Sequence, residues 1–367
     1  MRAISLLVTM GLFACQSDAD KSDDLKEEGD SGLEESDSGT DDTESIPIEE
    51  CPDNVICHNS YPLVLTGDTS NSSSRIYDGY GCAPSTNESG PESVYRLTLS
   101  EPGFLALALS DMAQDVDIDI HLLSESDPDA CIDRGHWRAG SYLEAGDYWV
   151  IADSWVNSSG EEKSGQFTLR VGFTTLNDMI GEGMESLFAD DVLFAYGTAW
   201  ARDEGEHFMA AFTDFSLHSA EERLWLWDME EGASLGRFHV AHGENSSASN
   251  DDAYAAYFSN INNSHQSSLG VMRGGETYTG SYGYSMRIDG LEPGYNDLVR
   301  SRAIVMHPWE GSRPEYIEYF GMTAPTWGCP GIDDRDSEYV IDLLADGGLM
   351  VFWYPDNDWA ENSSYLP

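Results

Sequence analysis

Ser93-Val94-Tyr95-Arg96-Leu97-Thr98-Leu99 alternates with period two. Successive side chains of a strand point to opposite faces, so this stretch predicts a strand with one face in a core. The same period returns in Val116-Asp117-Ile118-Asp119-Ile120-His121-Leu122 and in Gln166-Phe167-Thr168-Leu169-Arg170-Val171. Phe104 to Leu109 is a more continuously apolar run, and clusters of Gly, Pro, Asn and Asp punctuate the segments. Residues 51–173 therefore read as an antiparallel β-sandwich or jelly roll without a helix.

Working outward, residues 174–367 are mixed. Met184 to Ala201 is apolar at helical spacing, and Ser337 to Leu344 reads as a short helix. Between and after them come strand-like runs: Phe208 to Phe215, Arg223 to Trp227, Gly236 to Ala241, Tyr282 to Ile288, Arg302 to Met306 and Leu349 to Tyr354. The expected fold class is mainly β, a sandwich followed by a β-rich domain with a few helices.

Residues 16–50 are mostly Asp, Glu, Ser, Gly and Thr. Such a segment buries too little apolar surface to offset its ordering entropy, and its like charges favour extension. It reads as a disordered acidic linker with a reach on the order of 120 Å. The formal net charge of the whole chain is −49. That repels phosphate backbones and anionic headgroups, so nucleic acid is excluded as a partner. No glycine loop that cradles phosphate and no zinc-ligand spacing is present, and no cofactor is expected.

The N-terminus sets the compartment. Met1-Arg2 is followed by Ala3 to Phe13, an apolar run too short to span a bilayer. Leu12-Phe13-Ala14-Cys15 resembles the lipobox of bacterial lipoproteins, in which the cysteine is acylated and becomes the mature N-terminus. The alternative is a plain secretory signal with an incidental cysteine. With Gln16 rather than Asp after the cysteine, the resemblance implies a cell-envelope protein anchored in an outer membrane, facing the periplasm or the cell surface.

Six cysteines are present. Besides Cys15, four fall in the first folded part: Cys51, Cys57, Cys82 and Cys131. Paired cysteines are the default in an exported protein, and four allow three pairings. Cys51–Cys57 with Cys82–Cys131 is the expected set. Cys329 is left alone, in Thr326-Trp327-Gly328-Cys329-Pro330-Gly331, downstream of Ile304-Val305-Met306-His307. A thiol in a tight glycine turn and a histidine at a strand end suggest a nucleophile and its base. The opposing reading is a buried inert cysteine.

Two family resemblances follow. Gly90 to Tyr95, the Asp115 to Asp119 run, Leu143 to Val150 and Ser164 to Leu169 resemble the bacterial pre-peptidase C-terminal type of domain. That implies an accessory module, not a catalyst. Asp115, Asp117 and Asp119 could share a strand face and offer oxygen ligands to Ca²⁺, or form the polar face of a half-buried strand. His58, His121 and His136 are too scattered in sequence to suggest a metal site.

The segment from about Asp214 to Tyr354 resembles the murein L,D-transpeptidase catalytic domain of the branch related to the YkuD-type fold. The residues that carry this include Glu222 to Trp225, Val240-Ala241-His242-Gly243, Gln266 to Gly270, Gly283 to Arg287, Asp289 to Glu292, Arg302 to His307 and Trp327-Gly328-Cys329-Pro330, in that order. The resemblance implies that Cys329 attacks the amide before a terminal D-alanine of a peptidoglycan stem. A thioester forms, and an amine resolves it into a cross-link or water into a shortened stem. It assigns His307 as base and the N–H groups of Gly328 and Cys329 as oxyanion donors. His242, Gly243, Ser268, Gly270, Arg302 and Trp327 would lie at the substrate cleft. Pro325-Thr326 stands where the family often has Arg-Ser, and Pro308 replaces a small residue. The alternatives are an L,D-carboxypeptidase and an inactive wall-binding lipoprotein.

Overall fold

The computed structural model describes residues 51–367. The expected signal peptide, Cys15 and the acidic linker lie outside the described residues.

The first half is a sandwich. Its strands are β1 (Val55–His58), β2 (Leu63–Asp68), β3 (Glu92–Leu99), β4 (Gly103–Ser110), β5 (Ile118–Leu123), β6 (Cys131–Gly135), β7 (Arg138–Leu143), β8 (Gly146–Ser154) and β9 (Gln166–Thr175). They form two sheets, ordered β1-β3-β8-β5-β6 and β2-β9-β4-β7. All pairings are antiparallel except β1 with β3. The period-two reading holds physically. Tyr95, Leu97 and Leu99 of β3 enter one core with Ile118, Ile120 and Leu122 of β5, Val150 of β8 and Leu169 of β9. Cys51–Cys57 and Cys82–Cys131 are the two disulfides, and Cys329 is free.

The second half begins with α1 (Leu176–Gly181) and α2 (Ser186–Trp200). Thr175 caps α1 through a reciprocal pair with Asp178, so the last residue of β9 starts the helix directly. Then come β10 (Met209–Asp214), β11 (Leu224–Asp228), β12 (Ala233–Phe238), β13 (Ser247–Ala248), β14 (Asp251–Ala255), β15 (Gly270–Gly280), β16 (Gly283–Gly290), β17 (Val305–Pro308), α3 (Pro314–Phe320), β18 (Gly331–Ile332), α4 (Ser337–Leu344), β19 (Leu349–Trp353) and α5 (Asn357–Asn362). The main sheet runs β12-β11-β10-β19-β15-β16-β17-β18, with β13 and β14 paired separately. The fold is mainly β with few helices, as expected.

The structure departs from the sequence reading in several places, and three are instructive. β15 is a long strand with Gly270, Gly274, Gly275 and Gly280 in it, and glycine dilutes the alternation that signals a strand. The run expected from Arg302 starts as a turn instead. Arg302 N–H bonds the Leu298 carbonyl at 2.8 Å and Ile304 N–H bonds that of Val299 at 3.0 Å, so β17 begins only at Val305. β12 starts earlier than read and ends at Phe238, short of His242.

The continuously apolar β4 has a simple cause. Leu105, Leu107 and Leu109 face the sandwich core, while Phe104, Ala106 and Ala108 face the core of the second half. A strand covered on both sides loses its polar alternation. Phe104 meets Tyr196 of α2 edge-on at 4.8 Å, with Trp200 and Phe208 around the same ring. The expected cost of Phe104→Ala is about 3 kcal/mol, from lost burial plus the cavity left behind. Denaturant unfolding followed by tryptophan fluorescence measures it; a loss near zero would mean that β4 and α2 do not stabilise each other.

Candidate active site

Strand pairing brings the thiol and the imidazole together. β17 and β18 run parallel, with His307 opposite Gly331. His307 N–H points to the Pro330 carbonyl at 3.4 Å, and Trp309 N–H bonds that of Ile332 at 2.6 Å. Cys329 lies two residues before Gly331, so this register sets it beside the end of β17. Both side chains line one cavity of about 260 Å³, together with Tyr282, Arg302, Trp309 and Trp327.

His307 is almost fully buried. Its Nδ1–H donates to its neighbour's carbonyl, Pro308 O, at 2.9 Å, which leaves Nε2 as the basic nitrogen. Tyr282 stacks on the ring at 4.4 Å and Trp309 meets it edge-on. Burial lowers its pKa below the usual histidine value, and the Pro308 hydrogen bond offsets this only in part. Burial also raises the Cys329 thiol, with a Val305 main-chain contact and the Arg302 charge pulling the other way. Both groups are therefore neutral at rest. The thiol donates to the Ala303 carbonyl at 3.8 Å. Ala303 has φ +58°, a left-handed conformation uncommon for a residue with a side chain.

The turn under the thiol is built from bare main chain. Gly328 has φ +109°, and a Cβ there would sit 2.5 Å from the Gln266 carbonyl oxygen. A Cβ on Gly243 would sit 2.3 Å from the His265 carbonyl oxygen and 3.0 Å from Gly328 itself. Ser267 locks the two glycines: Gly243 N–H donates to its hydroxyl at 3.1 Å, and that hydroxyl points to the Gly328 carbonyl at 3.4 Å. Thr326 does the same from inside the turn. Its hydroxyl donates to Cys329 O at 2.7 Å and accepts from Gly328 N–H at 3.2 Å. This corrects one expectation. The Gly328 N–H is already committed, so Gly328 serves by its conformation rather than as an oxyanion donor. The Cys329 N–H makes no hydrogen bond among the described residues.

The other expected cleft residues divide. Trp327 lines the cavity, 69% exposed, and stacks on His265 at 4.5 Å. Arg302 also lines it, and no carboxylate pairs with it among the described residues. Instead it donates to Ser259 O and Ser268 Oγ at 2.6 Å, to Gln266 O at 2.6 Å and to Ser264 Oγ at 3.1 Å. It thus pins the loop against which Gly328 packs. Ser268, Gly243 and Gly270 are buried behind the wall, not in it. Gly270 has φ +103° and opens β15 against Glu292.

His242 is corrected too. It is 2% exposed, with Nδ1 accepting from Arg223 at 2.9 Å and Nε2 facing Ser247 Oγ at 3.2 Å. Burial first, then the Arg223 charge, push its pKa down to about 3. It is a neutral structural histidine whose carbonyl holds Thr326 N–H at 2.9 Å. Sequence reasoning missed Ser267, one place from the serine it chose, and Tyr282 and Trp309, whose aromatic rings carry no motif.

In the sandwich, Asp115 lies in a turn before β5 begins, so it does not share a strand face with Asp119. Asp117 and Asp119 converge instead on His136 Nδ1, at 3.2 and 2.9 Å, and Arg134 also pairs with Asp119. His136, set aside in the sequence with His58 and His121 as too scattered to suggest a metal site, thus lies against two carboxylates. A guanidinium on the best-placed carboxylate disfavours a cation there.

No curated protein matches the sequence. Among solved structures, the pre-peptidase C-terminal domain of collagenase from Bacillus anthracis is a neighbour of the N-terminal region, at 13% identity and a TM-score of 0.23 over 34% of this chain and 99% of that one. The periplasmic inhibitor of g-type lysozyme, PliG, from Aeromonas hydrophila gives 11% identity and a TM-score of 0.21 over 32% and 97%. The family model of the L,D-transpeptidase catalytic domain matches residues 186–354, which run from α2 to β19 and contain Cys329 and His307. On these residues the protein carries an L,D-transpeptidase catalytic domain of the YkuD type, the domain of a cysteine enzyme family that acts on peptidoglycan peptides.

Proposed function

We propose that the protein is a lipid-anchored peptidoglycan L,D-transpeptidase that works through a Cys329 thioester, with the lipid on Cys15 in the cell envelope. The observation that carries the catalytic reading is one cavity lined by a free thiol and by a histidine whose Nε2 makes no hydrogen bond among the described residues.

In the first half-reaction, Sγ attacks the carbonyl carbon of the amide before the terminal D-alanine. The thiol proton passes to His307 Nε2 as the S–C bond forms. The carbonyl oxygen becomes an oxyanion, and the uncommitted Cys329 N–H is the donor available on the turn. His307 then returns the proton to the leaving nitrogen, and free D-alanine departs as the C–N bond breaks. Arg302 keeps its charge beside the cavity without a carboxylate partner. It favours a thiolate, and it suits a stem carboxylate. Trp327 and Tyr282 line the cavity in which the thioester would form.

Two outcomes check this reading. With purified disaccharide-tetrapeptide, the native protein releases D-alanine and Cys329→Ala does not. His307→Ala loses roughly a hundredfold or more. Release undiminished in Cys329→Ala would refute the thioester. The second concerns the resting thiol. Its pKa is raised and that of His307 is lowered, so the thiolate–imidazolium pair is the minor form. Iodoacetamide labelling of the Cys329 peptide, followed by mass spectrometry, should climb with pH through a midpoint above the ordinary thiol range. A rate plateau between about pH 5 and 8 would instead reveal a preformed ion pair.

A further inference from the structure

In the sandwich, the loop between β2 and β3 brings two cysteines to one histidine. His121 of β5 alternates with Ile120 and Leu122, which enter the sandwich core, so its side chain points to the other face of the sheet. The loop covers it there. Tyr80 stacks on the His121 ring at 3.5 Å and donates to Asp153 at 2.6 Å, and Gly81 N–H bonds the Pro128 carbonyl at 3.0 Å. Cys82 comes next on the loop, and Cys131 opens β6, the neighbour of β5. One nitrogen of the His121 ring and the two sulfurs all lie within 4.8 Å of one another. The imidazole is fully buried, and neither of its nitrogens makes a hydrogen bond among the described residues. Glu88, from the same loop, is fully buried as well. Its Oε1 is 3.9 Å from His121 Nε2, too far for a hydrogen bond, and its Oε2 makes none among the described residues. Buried polar atoms left unpaired are costly, and those retained call for a partner.

We propose that Cys82, Cys131, His121 and Glu88 form a metal site when the Cys82–Cys131 disulfide is reduced, and that it takes a borderline-soft divalent cation of the Zn²⁺ class. Two thiolates, an imidazole and a carboxylate are the donors that four-coordinate zinc prefers. Arg134, 3.5 Å from Glu88, offsets part of their negative charge. The sequence hid the set because the two cysteines stand 49 residues apart. Reduction is sterically open, since Cys82 is exposed and Cys131 half-buried. The step balances with a dithiol as reductant. Its thiolate attacks Cys82 Sγ, the S–S bond breaks, and Cys131 leaves as a thiolate. The second thiol of the reductant then displaces Cys82 and departs as a disulfide, having given two electrons. The cation binds both sulfurs as thiolates, and their protons go to solvent. In either state the loop stays tied to β6, by a covalent bond or by the ion. The site is independent of Cys329 and of the reaction proposed for it.

The test uses the whole protein, reduced with a phosphine and freed of it without air. Zn²⁺ is added, the cysteines are alkylated with iodoacetamide, and mass spectrometry reads each cysteine peptide separately. The expected result is that Zn²⁺ slows labelling of Cys82 and Cys131 by roughly tenfold or more. Labelling of Cys51 and Cys57 should not change, and a chelator should restore the rate at Cys82 and Cys131. This reading needs no variant to fold. With Co²⁺ in place of Zn²⁺, the reduced protein should show the intense visible absorption of tetrahedral thiolate coordination, and the oxidised protein should not. That absorption should persist in the Cys51→Ser, Cys57→Ser double variant and vanish in Cys82→Ser, a change at an exposed position. Labelling of Cys82 and Cys131 that ignores Zn²⁺ would overturn the proposal. So would equal protection of all four cysteines, which would mean adventitious binding to thiols. A cobalt spectrum unchanged in His121→Asn would overturn the site as drawn.

Discussion

Close approach of bare main chain, fixed by hydroxyl groups, holds Cys329 where it is. A Cβ on Gly243 would strike the His265 carbonyl and press on Gly328, and one on Gly328 would strike the Gln266 carbonyl, so neither glycine has room for a side chain. Ordering two glycines is entropically expensive, so the turn needs fixed partners to persist. Ser267 and Thr326 supply them from opposite sides, each bonded to Gly328. Arg302 then fixes the loop that carries Ser267, spending its donors on hydroxyls and carbonyls rather than on an acid. Its charge is therefore left to act on the thiol. His242, which looks catalytic in sequence, belongs to this scaffold, because its carbonyl anchors Thr326.

The sandwich and the catalytic half are joined by more than chain continuity. β4 contributes one face to each core, and β9 runs into the cap of α1. A fragment that began after β9 would show Tyr196, Trp200 and Phe208 to water. Such an apolar patch invites association. Insolubility of that fragment would report a missing cover, not a defective catalytic fold.

Much of this was legible in the sequence because it rests on local signals. Period two gave β3, β5 and β9, and helical spacing gave α2 and α4. Cys329 and His307 stood out by residue type and by turn chemistry. What was hidden depends on partners far along the chain. That Phe104 faces a second core cannot be seen from β4 alone. The commitment of Gly328 N–H to Thr326 Oγ1 depends on one rotamer, and the burial of His242 depends on Arg223. Asp115 misled because alternation was assumed to begin before the strand did. Tyr282 and Trp309 were invisible because aromatic residues look the same in a core and at a cavity wall.

The burial that keeps Cys329 protonated has a second effect. The same chain carries two disulfides, Cys51–Cys57 and Cys82–Cys131. Thiol–disulfide exchange starts from a thiolate, and so does oxidation to a sulfenic acid. A resting thiol lifted above its usual pKa is slow in both reactions. In the same chain as two disulfides, such a thiol is slow to scramble them and slow to oxidise. Redox endurance and modest intrinsic reactivity are then one property of a single buried sulfur.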